Sequence, residues 1–184
     1  QTYARIGRFF AAEYFDVTPD MIFLGKGFGA GLPIAAVIVS DKLQGFEPDA
    51  EELHTFANTS IGQVAAAKQI EILENGLLQH TREMGARLDA GLRKLQGNFP
   101  EIGDIRQAGL HIGVELVFDP QSKAPALEQG VAVRQAAMDR GVILGMAGFR
   151  KNILKIKPPL IVSPAECDEI LEKFAAAMKQ VFRK

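Results

Sequence analysis

The chain has 184 residues, of which 47% are hydrophobic, and its 21 basic and 22 acidic side chains leave a net charge of -1. This length and composition supply a packed core and exclude disorder as the main state, and the balanced charge argues against a nucleic-acid partner. The longest uncharged apolar stretch, residues 27–40, contains a proline and is shorter than the ~18 residues of a membrane span, so no membrane association is expected.

Cysteine usage bears on the cellular location. Cys167 is the only cysteine, so an internal disulfide, a thiolate metal cluster and a paired redox motif are excluded. Gln1 is not followed by a basic and then apolar leader, so no secretory signal is expected. We therefore expect a cytoplasmic protein.

Two apolar runs in the first part of the chain, at residues 21–24 and 35–40, predict buried strands. Alternating glycines and a proline between these runs exclude a regular helix or a central strand, so residues 27–33 are predicted to form a loop. Ser60 is followed three residues later by a glutamine, which is the spacing of a capping box. A helix is therefore predicted to begin at Ile61 and to continue up to Gly76.

The second part of the chain begins with a helix whose apolar stripe, from Met84 to Leu95, stops near Gly97. At residues 110–118 apolar and mostly polar side chains alternate, which is typical of a strand with one buried face. The remaining predicted elements are a helix at 127–140, strands at 142–144 and 153–157, and a last helix that opens with a capping box of Ser163 and Glu166. Cys167 lies on the apolar face of that last helix.

Strands and helices mix throughout the sequence, which predicts an α/β fold. The character of the chain changes near residue 76, from glycine-rich apolar strands to a series of helices and strands, and this change predicts two parts. The first part has too few elements to close a sheet by itself, so we expect it to belong to a larger domain.

Lys26 is the most informative residue, because it stands between two glycines directly after the first predicted strand. Burial at a strand end favours the neutral amine, which is the form that attacks an aldehyde to give a Schiff base. An exposed loop lysine is the alternative. Phosphate-binding and dinucleotide-binding loops do not match, because glycine follows Lys26 instead of serine or threonine and the later glycines lead into Pro33 instead of a helix.

Thr55 and Ser60 are hydroxyl residues just ahead of the helix predicted from Ile61. Free backbone N–H groups and the positive end of the helix dipole favour an anion at this place, so a phosphate is one expected ligand. The alternative is that Ser60 is only a helix cap and Thr55 only a loop residue.

The histidines and several arginines point less clearly to a particular function. The three histidines are spread over three elements without the spacing of metal ligands, so no metal site is expected. Arg5, Arg106 and Arg150 are candidates to face an anionic substrate, with solvated arginines as the alternative. Nothing in their spacing selects one of them.

Residues 20–34, with the sequence DMIFLGKGFGAGLPI, resemble the lysine-bearing segment of the class III aminotransferases. These are pyridoxal phosphate enzymes that include ornithine and 4-aminobutyrate aminotransferases. Four shorter matches extend the resemblance along the chain: QTYARIG at 1–7, HTFAN at 54–58, GLHIGVEL at 109–116 and KIKPPL at 155–160.

The resemblance implies a fold type I pyridoxal phosphate-dependent transferase, with residues 1–76 as the C-terminal part of the coenzyme-binding large domain and residues 77–184 as the small C-terminal domain. It implies that Lys26 forms the Schiff base with pyridoxal 5'-phosphate and then moves the substrate proton. Gln1 would lie near the coenzyme's phenolic oxygen, and Thr55 would bind the coenzyme phosphate of the other subunit. The implied activity is amino transfer between an amino acid or amine and a 2-oxo acid, by a homodimer.

Two departures from the family pattern leave the reaction open. The family's ring-nitrogen aspartate would precede Gln1, so these residues would be roughly the C-terminal half of an enzyme that is catalytic only with its N-terminal part. Lys155 stands where most members have the arginine that grips the substrate carboxylate, so it is the implied substrate contact, although lysine cannot make arginine's planar two-point bond. The alternatives are a lyase or decarboxylase on the same coenzyme, for example on a phosphorylated amine, and a non-catalytic half that only dimerises.

Overall fold

A computed structural model describes residues 2–43 and 59–183 of the chain. The chain divides into two units, Gln1–Leu78 and Gln79–Lys184. Within the described residues, each unit mixes helices with an antiparallel sheet of its own.

The first unit pairs two short strands and adds helical segments before, between and after them. Its elements are α1 at Ala11–Tyr14, β1 at Met21–Leu24, a 3-10 turn at Lys26–Gly29, β2 at Ala36–Val39 and α2 at Ser60–Ile72. The register of β1 and β2 places Met21 opposite Val39 and Leu24 opposite Ala36. The two predicted strands and the irregular glycine segment between them are therefore confirmed.

The expected burial of these two strands is wrong within the described residues. Met21 and Phe23 are 48% and 77% exposed, and Val37, Ile38 and Val39 are exposed as well. Apolar side chains indicate a strand, but their burial depends on other elements that cover them. The exposed side chains lie on both faces of the β1–β2 pair, since Ile38 points away from Val37 and Val39.

The predicted capping box at the start of α2 is also wrong. α2 begins at Ser60, one residue early, and its N-cap residue Thr59 makes no side-chain cap hydrogen bond, so Ser60 and Gln63 do not form the expected pair. The helix runs into a wider π turn at Leu73–Leu77, where Gly76 has a left-handed φ of 111°. Glycine adopts that conformation without strain, and the regular helix is interrupted there as the sequence predicts.

The buried face of α2 carries small side chains, including Gly62 and Ala66. A Cβ added to Gly62 would lie 3.4 Å from Ile34 Cβ, so the helix approaches its neighbour closely at this glycine. The larger apolar side chains Ile61 and Val64 are 65% and 69% exposed. At its buried face α2 therefore packs through Gly62 and Ala66, whereas Ile61 and Val64 lie outside this contact.

The second unit is built around a sheet in the order β3-β4-β6-β5, with all described neighbours antiparallel. Its elements are α3 at Leu78–Asn98, β3 at Ile102–Ala108, β4 at His111–Leu116, α4 at Leu127–Met138, β5 at Gly145–Ala147, β6 at Ile153–Ile156 and α5 at Pro164–Phe182. The predicted capping box of α5 is confirmed. Glu166 N–H donates to Ser163 Oγ at 3.2 Å, and Ser163 N–H donates to Glu166 Oε2 at 2.7 Å.

One face of this sheet is buried against α3, α4 and α5. The side chains of β4 alternate as predicted, with Ile112, Val114 and Leu116 fully buried. The predicted stripes of two helices join the same apolar cluster: Met84, Leu88 and Leu92 of α3, and Cys167, Phe174 and Met178 of α5. The opposite face of β4 and β6 carries His111, Glu115, Ile153 and Lys155.

Two strands of this sheet differ from the prediction. The sequence does not indicate β3, because a register shift between Ile102 and Asp104 places the buried residues Ile102 and Ile105 three positions apart instead of two. β5 forms at Gly145–Ala147 instead of at the predicted residues 142–144. That apolar run packs two of its three side chains against the core without strand pairing, so its composition indicates burial and not a strand.

Candidate active site

Lys26 stands at the end of β1 and opens the 3-10 turn. Its φ of 52° is left-handed, which is uncommon for a residue with a Cβ and is concentrated at functional turns. Phe28 N–H donates to Gly25 O at 3.1 Å, and Gln69 Nε2 of α2 donates to Gly27 O at 2.7 Å. Lys26 is therefore presented by a junction that both the backbone and a neighbouring helix hold in place.

The surroundings of the Lys26 amine are open. Its side chain is exposed, so the expected burial at a strand end is wrong within the described residues. Its Nζ makes no hydrogen bond or ion pair with residues 2–43 or 59–183, and a Cβ added to Gly25 or Gly27 would meet no atom within 4 Å. A primary amine with free space and no competing carboxylate suits an aldehyde-bearing coenzyme. The residues at this turn therefore fit pyridoxal phosphate.

Lys155 lies on β6 in the second unit. It occupies the face opposite the buried Leu154 and Ile156, as strand alternation predicts. Its cross-strand neighbours are Gly113 on β4 and Gly145 on β5. The side chain is half-buried and forms no ion pair within the described part of the chain. Lys155 is therefore a cation that is available to an anionic ligand.

Arg106 lies in the same cross-strand row, beyond Gly113, but its charge is already paired with carboxylates. Its Nε donates to Asp104 Oδ2 at 2.7 Å and its Nη2 donates to Glu115 Oε2 at 2.7 Å. The hydrogen bond from Arg106 holds the pKa of Asp104 below its usual range. Arg150 is exposed and is not singled out as an anion contact by its surroundings.

The predicted site residues are not all placed by the structure. Lys26 belongs to the first unit and Lys155 to the second. Gln1 and Thr55 lie outside the described residues, so their roles stay predictions from the resemblance.

Sequence reasoning missed three residues that surround the two lysines. Gln69 reaches Gly27 across 42 positions of the chain, and no local pattern indicates such a contact. The two glycines that flank Lys155, at 113 and 145, become visible only when the strand register is known.

His80 and Cys167 are further side chains from the sequence for which the structure defines neighbours or burial. His80 Nε2 lies 2.8 Å from Val162 O. Cys167 is buried as predicted, and burial raises the pKa of its thiol. Residues 2–43 and 59–183 contain no group of three or more His, Cys, Asp or Glu side chains that could hold a metal ion. Within the same ranges, no helix has the length and apolarity needed to cross a membrane.

Comparison with known proteins identifies relatives that match nearly the whole chain. A family model for class-III aminotransferases matches residues 2–178. The chain is 33% identical to a probable 4-aminobutyrate aminotransferase of Bacillus subtilis, over 96% of this chain and 41% of that protein. It is 35% identical to the (R)-1-hydroxy-2-aminoethylphosphonate ammonia-lyase of Vibrio splendidus, over 96% of this chain and 37% of that protein. A crystal structure of a Bacillus anthracis aminotransferase superposes with a TM-score of 0.88 at 31% identity, over 97% of this chain and 43% of that one.

The chain thus spans between 36% and 43% of the length of the curated relatives that it matches. The structural likeness confirms the predicted fold class, that of the fold type I pyridoxal phosphate-dependent transferases, of which this chain contains a part. The family model covers almost every residue, and the motifs around Lys26 and Lys155 lie within it. The chain belongs to the class-III aminotransferase family.

Proposed function

We propose that the full-length protein transfers an amino group between an amino acid or amine and a 2-oxo acid, with pyridoxal 5'-phosphate as its coenzyme. The observation that carries this proposal is the amine of Lys26, a residue with a left-handed φ at the end of a strand. This amine has no partner among the described residues. Family membership supports the same activity, because relatives such as the Bacillus subtilis protein are named as aminotransferases.

Pyridoxal phosphate, when bound, supplies an electron sink that acidifies the Cα proton of the amine substrate. Lys26 Nζ is the group that would hold the coenzyme, through its aldehyde carbon. The amine of Lys26 would carry the proton from the substrate Cα to the coenzyme carbon that receives the amino group. The hydrogen bond from Gln69 to Gly27 O orients the turn that carries Lys26, and the bare positions on both sides leave the amine room to move.

Lys155 binds the anionic group of the substrate in this proposal. Arg106 on the same sheet face already pairs with Asp104 and Glu115, so Lys155 is the cation there whose charge the described residues leave uncompensated. An ammonium is a point charge on a flexible stem, so it follows a carboxylate or a phosphonate equally well.

We also propose the domain assignment and the assembly. Residues 1–76 form the end of a coenzyme-binding large domain, and residues 77–184 form a small domain. The protein is a homodimer in which Thr55, ahead of the first turn of α2, contributes to the phosphate site of the other subunit, and Gln1 contacts the coenzyme's phenolic oxygen. A single buried cysteine supports a cytoplasmic location, because disulfides are then not part of the fold.

Borohydride reduction and peptide mapping of the coenzyme-loaded protein test the role of Lys26. The pyridoxyl group is expected on the Lys26 peptide, and Lys26→Arg should abolish the labelling. Lys42→Arg, a change at another exposed lysine of the first unit, is the matched control and should keep it. A label on a different lysine would refute the assignment. A protein that takes up no coenzyme would instead support the non-catalytic dimerising half.

A lyase that acts on a phosphonate-bearing or phosphorylated amine is the second candidate. Lys155 in place of the expected arginine favours it, as does the 35% identity with an ammonia-lyase whose name specifies an aminophosphonate. The two reactions differ in their need for an acceptor. Amino transfer requires a 2-oxo acid and converts it into the matching amino acid, whereas a lyase releases ammonia from the amine alone. Ammonia release without an acceptor would favour the lyase.

A further inference from the structure

Lys155 is flanked by glycine on both neighbouring strands. In the sheet register its partner on β4 is Gly113 and its partner on β5 is Gly145. Glycine inside a strand weakens the strand and is usually retained where another group approaches closely. Neither glycine has a left-handed φ, so the backbone conformation does not require glycine at either position. The presence of glycine at these two positions must therefore be explained by the side chains that lie next to them on this face of the sheet.

The two glycines differ in what lies above them. A Cβ added to Gly145 would lie 2.7 Å from Lys155 Cε, 3.4 Å from Lys155 Cβ and 3.5 Å from Lys155 Nζ. A Cβ added to Gly113 would lie 3.1 Å from Ile153 Cγ2 and would meet no atom of Lys155 within 4 Å. The Lys155 side chain therefore leans over β5 and lies across the bare backbone of Gly145.

We infer that Gly145 is a positioning residue that sets where the Lys155 ammonium stands and so determines how tightly the enzyme holds an anionic substrate. The inference rests on the proposed role of Lys155 as the substrate contact. Any side chain at position 145 would overlap the outer half of the lysine. Because that half is flexible, the sheet persists while the ammonium moves away from its position. An ammonium that stands farther from the anion attracts it more weakly, because the attraction between two charges falls with their distance.

A double-mutant cycle on the coenzyme-loaded full-length protein tests this coupling. The variants are Gly145→Ala, Lys155→Ala and their combination, with Gly113→Ala as the matched control on the other side of the lysine. Two quantities are measured: KM and kcat for the best amino-acid donor, and the dissociation constant of butyrate by titration calorimetry. Butyrate is a carboxylate without an amine, so its binding does not depend on turnover.

Gly145→Ala is expected to raise KM and the butyrate dissociation constant roughly 3- to 30-fold, since part of a charge-assisted hydrogen bond is lost. It should leave kcat nearly unchanged. In the Lys155→Ala background the same substitution should have no further effect, because the displaced group is gone. Gly113→Ala should change both quantities by no more than about twofold.

The outcomes separate this inference from the proposed function. If Lys155→Ala leaves KM and butyrate binding unchanged, the proposed role of Lys155 is refuted. If Lys155→Ala weakens binding but Gly145→Ala does not, or if Gly145→Ala acts equally without the lysine, the positioning role alone is overturned. Should Gly145→Ala not fold, adding Lys155→Ala must restore folding by removing the overlap, and failure to do so would also overturn it.

Discussion

Gly85 on α3 lies directly against the backbone of Gly109, in the turn between β3 and β4. A Cβ added to Gly85 would come within 2.3 Å of the Gly109 carbonyl oxygen and 2.5 Å of its carbonyl carbon. Gly109 itself has a left-handed φ of 54°, a conformation that glycine adopts without strain. The helix and the hairpin therefore meet at this point through two residues without side chains.

Gly85→Ala should lower the free energy of unfolding by about 2 kcal/mol or more, because backbone atoms, unlike a flexible side-chain end, cannot move aside. Gly97→Ala on the same helix is the matched control, since its added Cβ would meet no atom within 4 Å. It should raise the stability by about 0.5 kcal/mol through helix propensity. Denaturant titrations of both variants give the comparison. Equal stability of the two would show that the close approach does not limit packing.

Changes at Lys155 should alter substrate preference. Lys155→Ala should reduce kcat/KM for anionic donors on the order of 10- to 150-fold, which corresponds to the loss of one charge-assisted hydrogen bond, while the coenzyme absorbance stays intact. Lys155→Arg should shift preference toward α-amino acids, because a planar fork suits the α-carboxylate. Lys179→Ala, at an exposed lysine of α5, serves as control. Unchanged kcat/KM for every α-amino, ω-amino and phosphorylated amine would mean that Lys155 faces only solvent.

Thr55 should act on the coenzyme site of the other subunit. Subunits with Thr55→Ala and subunits with Lys26→Ala are each expected to be inactive, and mixing them should restore part of the activity, because one of the two sites in a hybrid dimer then has both residues. The control mixes each variant with the double variant, which cannot rebuild a site. If mixing restores nothing although hybrids form, Thr55 works within its own subunit or not at all.

The cap of α5 should make stability depend on pH. Hydrogen bonds from the Ser163 backbone N–H and hydroxyl lower the pKa of Glu166, so its stabilisation is present above the ordinary carboxyl range and is lost as the pH falls through it. Ser163→Ala should cost about 0.5–2 kcal/mol. Glu166→Gln should be less stable than the wild type near neutral pH, and this difference should shrink toward about pH 3. A difference that is constant with pH would exclude the carboxylate as its source.

Sequence patterns predicted the elements whose periodicity is undisturbed. The stripes of α3 and α5 and the alternation of β4 are visible because each element keeps one face on the core over its whole length. β3 escaped prediction because its bulge breaks the two-residue period between Ile102 and Ile105. The predicted burial of β1 is wrong at residues such as Phe23. An apolar sequence shows that a strand favours burial, but it does not show that another element covers it.

The candidate site was predictable only in part. The place of Lys26 at a strand end follows from a local pattern, and so does the outward direction of Lys155. The neighbours of these lysines follow from strand register and helix packing, which join residues far apart in the chain. Gly145 beside Lys155 and Gln69 beside Gly27 belong to this second kind.

Because Cys167 is fully buried, at 0% exposure, the reactivity of its thiol reports how often the second unit opens. As the single thiol among the 184 residues, it reacts with an aromatic disulfide reagent only in those moments when α5 separates from the sheet. The rate of colour development then measures how often that separation occurs, without any added label. Substitutions that loosen the core of the second unit should raise the rate of this reaction, and ligands that stabilise the unit should lower it.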